Sequence, residues 1–442
     1  MSANQRLLER SLAAVWHPCT QMQHHLDGDG TPLIPIARGQ GPWLYDFDGK
    51  RYLDGVSSWW VNLFGHANPR INAALKAQLD TLEHVILAGF THEPVVELSE
   101  RLAALTGGRL GHCSYGSDGA SATEIALKMS HHYWRNTGHP EKDRYLCLEN
   151  SYHGETVGAL AVTDVSLFKE AYAPLVRPAG TVPSPDWRRA EAGETAADVA
   201  RRAAAALEAR LEKEHAQLAA LIVEPLIQCA GGMAMHDPLY LKLARELCDR
   251  YGVHLICDEI AVGNGRTGTY FAHQQADIIP DFLCTSKGLT GGYLPLSVVL
   301  TTDKVYEAFL DEKVSRAFLH SHSYTGNALA CRAALATLDI FQEDRVLERN
   351  REKSARFDAL LAPLKDHPQV RHYRHRGMIF AFDVADAPAD FSRRFYKACL
   401  AREILLRPFG NTVYFMPPYV VEEAELAFLS ERAAAALEEA LS

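Results

Sequence analysis

In the stretch LCTSKGLTGGYLPL, residues 283–296, one lysine stands between a short apolar run and a glycine-rich turn. Apolar sequence resumes beyond it in SVVL, so Lys287 is headed for the interior. Burial disfavours an ammonium and lowers its pKa, and the neutral amine can then attack a carbonyl to make a Schiff base. The competing reading is a strand-end lysine whose stem is covered while its charge snorkels to water. Small and glycine neighbours leave room for a bulky planar group, which only the first reading needs.

Asp258 closes the apolar run VHLIC and is followed by Glu259. Carboxylates directly after a buried parallel strand sit where α/β sheets place ligands. They are either loop caps or a fixed anion facing a protonated ring nitrogen; a cofactor that stabilises carbanions through its ring needs the second arrangement. Asp258 precedes Lys287 by 29 residues, and both stand at strand ends. Tyr152, in Ser151-Tyr152-His153-Gly154 after the run RYLCL, is either packing or a ring that stacks on a planar group. In YGSDGASATE, residues 115–124, small residues open a helical pattern and leave backbone N–H groups able to hold a phosphate. Ser121-x-x-Glu124 can also be read there as a capping box.

Other segments carry weaker signals. Gly263-Asn264-Gly265-Arg266-Thr267-Gly268 spells GxGxxG, the basis of a nucleotide-binding oxidoreductase as a rival reading. It does not follow a strand directly, and TGTYFAHQQ stands where a helix should begin. His320 and His322 lack a third ligand for a metal, while the hydroxyls of HSHSYTGN could hold an oxyanion. Ser57-Ser58-Trp59-Trp60 sets two indoles side by side, as half core and half surface or as a pocket wall. Arg407, beside the proline turn of LRPFG, is either solvated or a carboxylate clamp.

The elements that must position these groups alternate. Apolar runs at Arg144–Leu148, Ala220–Glu224, Val253–Cys257, Asp281–Thr285 and Ser297–Leu300 read as strands, separated by helical patterns such as residues 196–217. Asp237-Pro238 opens a helix before LYLKLARELCDRY, and Gly252 stops it. The expectation is an α/β protein whose large domain, residues 71–340, has a mostly parallel central sheet covered on both faces. A smaller α+β domain would combine residues 1–70, with the hairpin WLYDFDGKRYLDG, and 341–442, with a strand near 378–383 and a helix near 422–440. The 442 residues are 47% hydrophobic and 23% charged, with a formal net charge of −10. That balance argues against nucleic acid or an anionic membrane as a partner. No window reaches the apolar length of a membrane helix. Nine scattered cysteines with no CxxC pair read as free thiols of a cytoplasmic protein rather than a disulfide framework or zinc site.

Taken in order, SSWW, the small-residue phosphate turn, SYHGET, EPLIQ, CDEI, GRTG, SKGLTGG, SYTGN and RPFG resemble the class III (ω-type) aminotransferases along almost the whole chain. These are pyridoxal 5'-phosphate enzymes of fold type I. The subset SSWW, HSYTGN and RPFGNTVYFMPP is similar to members of that family acting in biotin biosynthesis. The resemblance implies that Lys287 holds the cofactor covalently and carries a proton, that Asp258 pairs with its ring nitrogen, and that Tyr152 stacks on its ring and borders the substrate. It implies that Gly119 and Ala120 bind the phosphate, with His322 and Ser323 reaching it from the second subunit of a homodimer. Trp59, Ser321, Arg407 and Tyr414 would line the substrate pocket, with Arg407 on a keto-acid carboxylate. The implied substrates are S-adenosylmethionine and 8-amino-7-oxononanoate. Within the family, the alternative is an ω-amino acid or diamine transaminase using pyruvate or 2-oxoglutarate.

Three residues depart from the family pattern. Cys19 stands where a tyrosine often reads the substrate, Asp118 precedes the phosphate glycine, and Asn264 replaces a common aromatic. A thiol offers no equivalent ring, and a carboxylate at 118 must point away from phosphate, as an N-cap would.

Overall fold

The computed structural model describes residues 1–28 and 30–442. The chain folds as two compact units, one of residues 73–347 and one joining 1–72 to 348–442.

The larger unit is built on seven strands: β1 (His112–Gly116), β2 (Arg144–Leu148), β3 (Gly180–Val182), β4 (Leu218–Val223), β5 (His254–Asp258), β6 (Phe282–Thr285) and β7 (Ser297–Thr301). Their order across the sheet is β1-β7-β6-β5-β4-β2-β3. From β6 to β3 every pairing is parallel, whereas β7 runs antiparallel to both β6 and β1. The mostly parallel sheet expected from the alternation is present, with β7 reversing one end because only the short Lys287–Leu296 segment separates it from β6. Every residue of β4, β5, β6 and β7 is buried, as strands covered on both faces require. The helix Gly119–Asn136 lays Ala122, Ile125, Ala126 and Met129 into the core formed with Ile222, Ile256, Phe282 and Val299.

Element ends differ slightly from the sequence pattern. Strand β4 starts at Leu218 and leaves Glu224 just beyond it. The 196–217 pattern is α-helical over Ala196–Glu214, opened by a Thr195/Asp198 capping box, then tightens into a 3₁₀ turn. The next helix spans Leu239–Tyr251, with Asp237 Oδ1 accepting from the Leu239 N–H and Gly252 ending it at φ 62°.

In the smaller unit, Trp43–Asp46 and Arg51–Asp54 form the expected hairpin. Ile36–Gln40 joins it antiparallel, and Ile404–Leu405 adds to it in parallel. A second sheet holds Val370–Arg376, Ile379–Val384 and Thr412–Phe415, and the chain closes with the helix Glu423–Leu441. After Asp54 the backbone turns left-handed through Ser57–Trp60. No helix among the described residues is long and apolar enough to cross a membrane.

Candidate active site

The parallel register gathers four chemically active segments on one edge of the larger unit. Cys257 on β5 pairs with Val223 on β4, and Asp258 pairs with Cys284 on β6. Glu224, Asp258 and Lys287 therefore follow the carboxyl ends of three adjacent strands, and Tyr152-His153 follows β2 on the next. This edge is where open α/β sheets bind ligands.

Both oxygens of the Asp258 carboxylate are held. Oδ1 accepts from the Ile260 N–H at 3.1 Å, and Oδ2 lies 2.7 Å from His153 Nδ1. His153 is itself pinned, since its N–H donates to Thr163 Oγ1 and its carbonyl accepts from Thr123 Oγ1. The carboxylate facing Nδ1 assigns the ring proton to that nitrogen. His153 Nε2 is buried with no hydrogen-bond partner. The neighbouring Glu259 takes the loop-cap role, the other of the two readings its position allows. It accepts from the Ala272 and His273 N–H groups and meets His273 Nδ1 at 2.7 Å, tying down the following loop.

Lys287 is half-buried, and its backbone is left-handed at φ 46°. Desolvation lowers its pKa below the ordinary lysine value, opposed by Asp258, Cys229 and Glu224. The neutral amine required of a carbonyl-capturing lysine is thus less costly to form than at an exposed lysine. Glu224 is buried beside this group. Its Oε2 accepts from the Tyr152 N–H at 3.1 Å and its Oε1 from the Cys229 N–H at 3.1 Å. Desolvation, then the Asp258 charge, raise its pKa well above the usual carboxylate range. Asn264, buried at φ 53°, donates to the Ser286 carbonyl at 3.2 Å and to Thr285 Oγ1 at 3.3 Å. It braces the strand end that presents Lys287.

The phosphate turn opens the helix Gly119–Asn136. Asp118 is its N-cap, accepting from the Ser121 N–H at 2.9 Å, so its carboxylate is engaged within the turn. The capping box on Ser121 is not formed: Glu124 instead accepts from Thr156 Oγ1 and the Gly158 N–H, across to the next helix. Gly119 and Ala120 are the first two residues of the helix, where N–H groups have no intrahelical partner. Gly154, at φ 121°, packs on Ala120 so closely that a Cβ would come within 2.6 Å of the alanine methyl. The SYHG segment and the phosphate turn are thereby fixed to one another. Tyr152 donates its hydroxyl to Glu155, and its ring meets Phe168 edge-on at 5.3 Å. His322 Nδ1 lies 3.2 Å from Ser117 Oγ in the same turn, while Ser321 and Ser323 are exposed.

The remaining expected residues belong to the smaller unit. The Arg407 guanidinium lies over the Trp59 ring, 4.8 Å from its centroid, and both line a cavity of about 270 Å³. Ile34, Leu44 and Leu405 give the cavity apolar walls, and His17 and His25 add polar edges. Cys19 is exposed at φ 49°, between Pro18 and Thr20 of the lining. Tyr414 is only 2% exposed; it accepts from Trp60 Nε1 at 3.2 Å and stacks on Phe409.

The residues fit pyridoxal 5'-phosphate: a desolvated amine, a carboxylate locked in orientation for a ring nitrogen, and a helix N-terminus for a phosphate. His153 and Glu224 escaped the sequence reading, although both lie in the motifs SYHGET and EPLIQ. Their spacing gives no hint that each contacts another strand's end.

The family Aminotransferase class-III matches residues 26–437. The adenosylmethionine-8-amino-7-oxononanoate aminotransferase of Helicobacter pylori is 46% identical over 433 residues, covering 96% of each chain. The crystal structure of the enzyme of that name from Methanocaldococcus jannaschii has a TM-score of 0.91 at 33% identity, over 98% of this chain and 99% of that one. An amine transaminase from an uncultivated Pseudomonas species, solved in a PLP-bound form, gives a TM-score of 0.89 at 31% identity, covering 97% and 98%.

Proposed function

Since the chain belongs to the class-III aminotransferases, we propose that it transfers the amino group of S-adenosylmethionine to 8-amino-7-oxononanoate, giving 7,8-diaminononanoate in biotin biosynthesis. It is a fold type I enzyme, and its cofactor is pyridoxal 5'-phosphate. When bound, the cofactor supplies an electron sink for the charge left on the substrate's Cα.

The chain's own residues account for the rest. Lys287 Nζ would hold the cofactor and, once released, relay a proton away from the donor's Cα within the first half-reaction and onto the acceptor's carbon within the second. Asp258, immobilised by Ile260 and His153, presents a fixed negative charge to a ring nitrogen. Free N–H groups at Gly119 and Ala120 hold the phosphate, aided by the helix dipole. Glu224 holds the Tyr152 backbone, so that the tyrosine ring enters the site from a set position.

One observation carries the choice of acceptor. Arg407 is held over Trp59 at the wall of an otherwise largely apolar cavity, which suits an aliphatic chain ending in a carboxylate. The deciding experiment is a panel of amino donors, followed through the cofactor's visible absorbance. S-adenosylmethionine should discharge the band, and 8-amino-7-oxononanoate should restore it. If alanine or a terminal diamine succeeds where S-adenosylmethionine fails, the ω-transaminase reading replaces this one.

The reading includes a homodimer in which His322 and Ser323 serve the second subunit's phosphate. The large exposed side chains of Phe90, Leu319 and Tyr324 support it, because a second copy would cover them. It also includes a cytoplasmic location, supported by nine cysteines that form no disulfide.

A further inference from the structure

Ser57, Ser58, Trp59 and Trp60 have φ values of 51°, 48°, 69° and 73°. Four successive left-handed residues without a glycine are costly, because each Cβ crowds the following carbonyl oxygen. Such a turn persists only where its surroundings impose it. Here the Trp60 N–H donates to the Val56 carbonyl, and the Val61 and Asn62 N–H groups donate to that of Ser57. Ser57 Oγ donates to the Met416 carbonyl at 2.7 Å.

The strongest restraint comes from Asp54, the last residue of its strand and 0% exposed. Its Oδ1 accepts from the Ser58 N–H at 2.9 Å, its Oδ2 accepts from Ser58 Oγ at 2.7 Å, and Oδ2 also lies 3.2 Å from His66 Nε2. Hydrogen bonds to an ionised carboxylate are the strong ones, and two of these converge on the residue at the centre of the turn. The left-handed twist sends the two indoles apart. Trp60 goes into the core, whereas Trp59 stays 40% exposed beneath Arg407 on the cavity wall.

We propose that Asp54 is the positioning residue of the acceptor pocket: its buried carboxylate locks the left-handed Ser57–Trp60 turn and so fixes the Trp59 ring under Arg407. The proposal rests on the reading above, in which Arg407 and Trp59 meet the acceptor. Asp54 touches neither substrate nor cofactor and acts only through Ser58.

The test uses holoenzyme labelled with 5-fluorotryptophan, with the Trp59 resonance assigned through Trp59→Phe. Asp54→Leu, which removes both acceptor oxygens while keeping the branched side-chain shape, should move that resonance as Arg407→Leu does. It should raise the acceptor KM by roughly tenfold or more while leaving the donor half-reaction within about twofold. Adding Ser58→Gly should reverse both changes, because glycine enters the left-handed region without the Cβ penalty. Should Asp54→Leu fail to fold, Ser58→Ala decides, since it removes one of the converging bonds and should give a smaller change in the same direction. An unmoved resonance, or equal losses in both half-reactions without rescue by glycine, overturns the proposal. Wild-type enzyme that does not aminate the keto acid sinks the substrate reading alone, because the fluorine signal needs no substrate.

Discussion

Asp258 Oδ2 and His153 Nδ1 lie 2.7 Å apart, both buried, at the ends of strands that are not neighbours in the sheet. The imidazole keeps the carboxylate from turning, as the proposed pairing with a cofactor ring nitrogen requires. Asp258→Asn should cost on the order of 10²-fold or more in kcat, because the fixed charge is lost. His153→Ala leaves the charge but frees its direction, and a loss of about tenfold is expected. Single-turnover kinetics read both. Equal effects of the two substitutions would argue against a positioning role for His153.

Lys287→Ala should abolish the visible band and reduce turnover by on the order of 10²- to 10⁴-fold, the usual contribution of a positioned acid–base group. Because burial lowers the Lys287 pKa, its neutral form is present at lower pH than that of ordinary lysines. Borohydride capture of pyridoxal phosphate by cofactor-stripped protein, read peptide by peptide, should therefore reach Lys287 at a pH where other lysines are silent. Capture that rises only with the bulk lysines would contradict this.

Glu224 has a folded-state pKa raised above its unfolded value. Its folded form holds a proton more tightly, so its contribution is most favourable below the unfolded value and is lost as pH rises through the folded one. Glu224→Gln lacks that titration. Its melting temperature should gain on wild type as pH rises from about 4 toward neutrality. A difference that stays constant with pH would show that Glu224 does not titrate there.

Arg407 is exposed, so Arg407→Ala should weaken the keto-acid half-reaction by roughly tenfold, as loss of a charge-assisted hydrogen bond does. The donor half-reaction should change far less. Stopped-flow absorbance on each half separately makes the comparison, and parallel losses would argue against a carboxylate clamp.

If the site is shared between subunits, Lys287→Ala and the double substitution His322→Ala/Ser323→Ala should each be nearly inactive alone. Co-expressed, they should recover activity, because a mixed dimer assembles one site with both contributions intact. Absence of recovery would assign His322 to its own chain's phosphate turn, against whose Ser117 it already rests.

The sheet was legible from sequence because its strands are short, apolar and punctuated by helices with recognisable ends, as at Gly252. Strand β7 was found as an element, but its direction depends on pairing with β1, which lies far upstream. Lys287 and Asp258 were visible because a charge at the end of a buried strand is conspicuous. His153 and Glu224 were not, since their partners come from different strands and only the register aligns them. Asp118 could be foreseen as a cap from its place before a helix. The capping box on Ser121 failed because Glu124 faces another helix. The left-handed turn at Ser57–Trp60 left no trace in composition, for it contains no glycine.

The cysteines give the enzyme a practical asymmetry. Burial pushes up the thiol pKa of Cys113, Cys147, Cys229, Cys248, Cys257, Cys284, Cys331 and Cys399, which makes them slow nucleophiles. Cys19 alone is exposed, and its neighbours Pro18 and Thr20 line the Arg407 cavity. A residue that first looked like a lost tyrosine is thus a ready-made attachment point. A thiol-reactive dye added to unmodified protein would settle beside the cavity and report its filling without a single engineered substitution.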